Sequence, residues 1–157
     1  MNNQLITSNS KARRRGRTRR GVMSFELLLV IPILLIVIVG GIEVSQLLMA
    51  NQALQAASAA GAREASMPGS TEADVREAVR RSVIGWRFEP EMMDSDIDIA
   101  AIDMSGSVIA LGSAMPGDVV KVSIEIDATA AVPDFLLSWG LSIASKKMNA
   151  ASIFRRE

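Results

Sequence analysis

The stretch LLLVIPILLIVIVGGI, residues 27–42, contains no charged and no hydrogen-bonding side chain. Thirteen of its sixteen residues are Leu, Ile or Val. Together with residues 22–26 it reaches the roughly 20 residues that a helix needs to cross a bilayer. Each Leu, Ile or Val favours insertion by about 0.3 to 0.6 kcal/mol, so the run gains about 4 to 8 kcal/mol against about 3 kcal/mol for one carboxylate at the bilayer centre. Insertion is favoured even with Pro32, Gly40 and Gly41 present. They weaken a helix in water, but in lipid the backbone has no other partner. A buried core helix would need a larger protein around it than 157 residues supply. A cleaved secretory signal shares the basic region and the apolar run. However, the run is long for such a signal, and the best small-residue sites, near Ala50 and Ala59, fall beyond it within a pattern that continues as helix.

On the N-terminal side stand Lys11, Arg13, Arg14, Arg15, Arg17, Arg19 and Arg20, seven of the chain's 17 basic residues. All 17 acidic residues follow Gly21, so the formal net charge of zero divides into a basic leader and a remainder of net charge minus seven. Placed directly before an apolar span, the arginines read as a topology signal that keeps the N-terminus in the cytoplasm, rather than as a nucleic-acid-binding patch. The acidic remainder should avoid nucleic acid and anionic lipid surfaces. These features predict a single-pass protein of the inner (cytoplasmic) membrane with an extracytoplasmic C-terminal domain. Its expected divisions are a leader at 1–21, a transmembrane helix at 22–45 and a domain at 46–157.

Beyond Glu43 the helical pattern meets no breaker until Pro68-Gly69. A helix from about Val22 to Ser66 would be on the order of 68 Å long, more than twice the hydrocarbon thickness, and must project from the membrane. Its part between Ala50 and Ala65 is rich in small residues (Ala50, Ala53, Ala56, Ala57, Ala60, Gly61). Such a surface lets a neighbouring element approach closely, although alanine's helix propensity alone would also account for it. Ser70 or Thr71 can cap a second, amphipathic helix. Glu72, Asp74 and Glu77 lie near its positive end, and Val75, Val79, Val83 and Trp86 lie on one face. After Pro90 the period becomes two. Ile97 and Ile99 alternate with Asp96 and Asp98, and Val120, Val122, Ile124 and Ile126 alternate with Lys121, Ser123, Glu125 and Asp127. Further strands are expected near residues 108–111 and between Ile143 and Phe154, the latter with poor alternation, and a short helical turn over residues 133–139. The fold class is therefore α+β: one long N-terminal helix, then a small domain with an amphipathic helix and an antiparallel sheet.

Histidine, cysteine and tyrosine are absent. Their absence excludes Ser-His-Asp and Cys-His catalysis, thiolate metal sites and disulfides. Asp94, Asp96 and Asp98 have the opening spacing of a calcium loop. The sixth position, which should be glycine, is Ile99, and the twelfth, which should be a bidentate carboxylate, is Ser105. No catalytic residue, metal ligand or cofactor site is assigned, and no enzyme activity is expected.

The junction Gly21-Val22-Met23-Ser24-Phe25-Glu26 carries more information. A basic stretch, a glycine, four uncharged residues, a glutamate and an apolar helix resemble the processing site of type IV prepilins, although a glutamate at a helix start is also favoured by the macrodipole. With FELLLVIP at 25–32, GIE at 41–43, NQALQAA at 51–57 and GAREA at 61–65, residues 19–65 resemble the TadE-like family. That family comprises minor pilins or pseudopilins of the tight-adherence (Flp) pilus and secretion system. Here the leader, residues 1–21, is longer and richer in arginine than the family pattern. The resemblance implies a pilin-like domain, cleavage between Gly21 and Val22 by a prepilin peptidase, and assembly roles for Glu26 and Glu43. The implied partners are other pilins or pseudopilins, an inner-membrane assembly platform and the lipid bilayer. A different reading is a membrane-anchored binding or sensor domain that is never processed.

Overall fold

The computed structural model describes residues 20–157. The first helix, α1 (Arg20–Ser66), runs 47 residues without interruption and contains Pro32. Two compact units divide the chain between Leu35 and Ile36. Within the first, the described apolar side chains are exposed, Phe25, Leu28 and Leu34 among them. They bury nothing of their own, as expected for side chains that face lipid.

The second unit, residues 36–157, holds the hydrophobic core. Helix α2 (Glu72–Ser82) starts at Thr71, whose hydroxyl accepts from the Asp74 amide while the Asp74 carboxylate accepts from the Thr71 amide. This reciprocal box satisfies two backbone donors that the helix start would otherwise leave free. Strands β1 (Ile97–Ile102), β2 (Val108–Ile109), β3 (Val119–Asp127) and β4 (Lys147–Arg155) form one antiparallel sheet in the order β2-β1-β3-β4. A one-turn helix, α3 (Ala128–Ala131), follows β3, and a 3-10 turn (Phe135–Trp139) lies in the connection to β4.

The core lies between the sheet and the two helices. The inward positions of β3, Val120, Val122, Ile124 and Ile126, meet Ala50, Ala53, Leu54, Ala57, Ala62 and Ala65 of α1 and Val75 and Val79 of α2. Small residues on α1 bring its backbone close to its neighbours. A Cβ at Gly61 would stand 2.6 Å from Val79 Cγ2 and 3.2 Å from Val122 Cγ1. Glycine is thus required by space at the point where α1, α2 and β3 converge. Ser58, fully buried on the same face, shares a 2.8 Å hydrogen bond with Ser152 of β4.

The sequence expectations hold for α1, for the capped start of α2, for β1 and β3 and for the turn after Pro133. They need adjustment in three places. Helix α2 ends at Ser82, so Val83 is its C-cap and Trp86, expected on its face, lies beyond it, although both side chains pack with the core. The strand expected over 108–111 ends at Ile109, because Leu111 opens a 3-10 turn that carries its side chain into the core. The last strand begins only at Lys147, with Met148, Ala150, Ser152 and Phe154 on its better-buried side and Ile153 exposed.

Candidate functional site

The residues to place are those of α1 and whatever packs on it. The arginines at 13, 14, 15, 17 and 19 and most of the leader lie outside the described residues. Arg20, Gly21 and Val22 belong to the first turn of α1. Glu26 is exposed, one turn into the helix. From Phe25 onward α1 is the one helix among the described residues that is long and apolar enough to cross a membrane, with a mean hydropathy of 2.9 over its most apolar window.

Glu43 differs from Glu26 in its surroundings. It follows directly on the uncharged run, yet only 3 % of it is exposed. Its Oε2 accepts a 3.3 Å hydrogen bond from the Leu136 amide in the turn between β3 and β4. The same turn touches α1 one helical turn earlier, where Leu136 Cδ1 lies 3.4 Å from the position of a Cβ on Gly40. Gly40 and Glu43 therefore form the seat of this connection. Sequence reasoning named Glu43 but missed its partner. The only signal for the partner was the run of large apolar residues Phe135, Leu136, Leu137, Trp139 and Leu141.

Several acidic residues elsewhere bond within their own neighbourhood. Asp94 accepts from Arg80 at 2.7 Å, and this hydrogen bond holds its carboxyl below the usual range. Asp96 accepts from the Met93 amide, and Asp98 from the Ser123 hydroxyl at 3.3 Å. The three carboxylates with calcium-loop spacing thus bond in three separate directions. Among the described residues no group of three or more acidic side chains comes together as a metal ligand set. Asp103 is held low by the Ser105 hydroxyl and the Ser107 amide, inside the turn that links β1 to β2. Glu125 and Lys147 pair across β3 and β4 at 2.6 Å, which lowers the carboxyl and raises the amine.

What distinguishes the molecule is therefore a helix with two successive environments. It is exposed and apolar through Ile42, and from Ala50 it forms one wall of the domain core. Comparison with known proteins finds no match among curated proteins and none among solved structures. Against family models, residues 21–63 match the one described as TadE-like protein. The matched segment starts at the glycine of the candidate processing site and ends within the last turn of α1. It is through this helix that the chain is similar to the TadE-like family.

Proposed function

We propose that the chain is a membrane-anchored, prepilin-like subunit, a minor pilin or pseudopilin, that takes part in assembling or priming a Flp-type pilus or the secretion system built with it. The TadE-like helix, exposed and apolar before Ile42 and core-forming after Ala50, carries this reading. Such a helix anchors a subunit in the membrane while holding its domain to one side. Insertion with the basic leader in the cytoplasm would present the Gly21-Val22 bond to a prepilin peptidase on that side.

Cleavage there makes Val22 the first residue and gives it a positive amine, with Glu26 at the fifth position. A carboxylate drawn into a bundle of apolar helices is costly unless an opposite charge neutralises it. The Val22 amine of an adjacent subunit is the natural partner, so processing and assembly are coupled through Glu26. Other pilins and the inner-membrane assembly platform are the remaining partners.

Mass measurement of the N-terminus in cells that carry a prepilin peptidase tests this reading. A chain beginning at Val22, with or without N-methylation, is the expected result. A chain that retains residues 1–21 in the presence of the peptidase would instead make this a permanently anchored binding or sensor domain.

A further inference from the structure

Four large apolar side chains stand out of the surface within the connection between β3 and β4: Phe135, Leu137, Trp139 and Leu141, each between 46 % and 60 % exposed. So many large apolar side chains exposed within one seven-residue segment mark a contact site rather than ordinary surface composition. The segment that carries it is well tied. The Asp134 carboxylate accepts from the Ser142 hydroxyl and the Ile143 amide, and Gly140, at φ +80°, turns the chain back. Leu136 points the other way, onto Gly40, and its amide bonds Glu43. The exposed side chains are thus held outward by a fixed turn.

The position of that turn along α1 identifies what it meets. Residues 40–43 are where the uncharged run 27–42 ends. With residues 22–26 the span rises about 32 Å, close to the roughly 30 Å of hydrocarbon, so the end of the run lies at the edge of the apolar layer. A turn seated on residues 40–43 is therefore level with the bilayer interface. Ile42, Val44 and Leu48 of α1, at and just beyond that level, are exposed as well. Beside the turn Val44, Leu48 and Ile143 line a groove of about 440 Å³ together with Lys146 and Lys147. Trp139 and Lys146 are side chains that suit this depth, one by its amphipathic ring and the other by carrying its charge to the headgroups, while Lys147 is held by Glu125.

We infer that residues 133–146 form a foot that inserts its apolar side chains into the interfacial layer of the bilayer, on the side where the domain lies. The foot fixes the height and tilt of the domain above the membrane, in addition to the single helix. This inference rests on the membrane-anchored reading above.

The absence of cysteine permits single spin labels on the full chain in vesicles of phosphatidylethanolamine and phosphatidylglycerol. Labels at Leu137→Cys and Trp139→Cys report the foot. Val37→Cys reports the span, and Met104→Cys, at an 81 % exposed residue, reports water. Collision rates with oxygen and with a water-soluble nickel chelate are compared. The foot labels should show an oxygen-to-nickel ratio about tenfold above that at 104, because a polar complex is excluded from apolar surroundings. Ratios at 137 and 139 equal to that at 104, with 37 in lipid, would overturn the foot and leave the anchor intact. An aqueous signal at 37 would overturn both. Labels at 137 and 139 shielded from both reagents would mean that protein, not lipid, covers the turn, which also overturns the inference.

Discussion

An added methyl group at Gly61 would stand 2.6 Å from a Val79 methyl that is itself fully buried. Two effects compete in Gly61→Ala. Alanine favours the helix by about 0.8 to 1 kcal/mol, whereas overpacking a tight core costs about 1 to 3 kcal/mol. Val79 is branched at Cβ and has little freedom to move aside, so overpacking should prevail. The expected outcome is a net loss of up to about 2 kcal/mol in urea unfolding followed by tryptophan fluorescence. Adding Val79→Ala should restore part of the loss made by Gly61→Ala, a coupling that distant sites do not show. Glu43 offers a second test at this scale. Glu43→Ala leaves the Leu136 amide without its acceptor, at a cost of about 1 to 3 kcal/mol borne locally by the turn. Chymotrypsin should cut residues 135–141 faster in Glu43→Ala than in the unaltered chain, and Glu43→Gln, which keeps an oxygen acceptor, should restore resistance. Equal cutting in all three would show that the hydrogen bond does not hold the turn.

Among the elements, α2 has the most explicit start signal, and its stability should depend on pH through Asp74. The Thr71 amide and then the Thr71 hydroxyl, both bonded to this carboxylate, lower its pKa from the usual value. A depressed folded pKa means that the unfolded chain takes up the proton first as pH falls. The stabilisation from Asp74 is thus complete above the unfolded value of about 3.9 and is lost as pH falls through the folded one. Unfolding of Asp74→Asn should show a constant deficit against the unaltered chain from pH 7 to near pH 5, and the deficit should shrink below about pH 4. A deficit unchanged down to pH 2 would contradict this role. The box also shows what the sequence could and could not convey. Ser70 and Thr71 were equal candidates for the cap, and only the fold separates them, because the Ser70 hydroxyl is spent on the Glu64 carbonyl at the end of α1. The alternation of β3 was plain because one face meets a continuous core. That of β4 was obscured because Ser152 turns inward to Ser58 while Ile153 turns outward. The Glu43 seat was legible by half. The carboxylate stood out beside an apolar run, but its partner lies 93 residues away and donates through its backbone, which no side-chain pattern records.

At the scale of the whole molecule, charge and hydropathy set direction before any domain folds. Seven basic residues precede the span and a net charge of minus seven follows Gly21, so the leader should stay in the cytoplasm while the acidic part crosses. Protease added outside the inner membrane should digest residues beyond the span in spheroplasts, and full protection would reverse the assigned orientation. In the proposed function, processing links this topology to assembly. Glu26 is exposed in the single chain, and after cleavage it would lie one helical turn from a new amine at Val22. In an isolated subunit at the membrane edge that carboxylate costs little. Inside a bundle of apolar helices it needs the opposite charge of a neighbour. Glu26→Ala should therefore leave insertion and cleavage largely intact but reduce co-purification of the mature chain with pilin partners. Gly21→Ala adds only a methyl group and should be cut nearly normally. A bulky Gly21→Leu should block the cut, leave no amine at Val22 and lower partner recovery even with Glu26 in place. Recovery of pilins with Glu26→Ala equal to that with the unaltered chain would reduce Glu26 to a residue that merely favours the helix start, and the proposed charge pairing between subunits would be wrong.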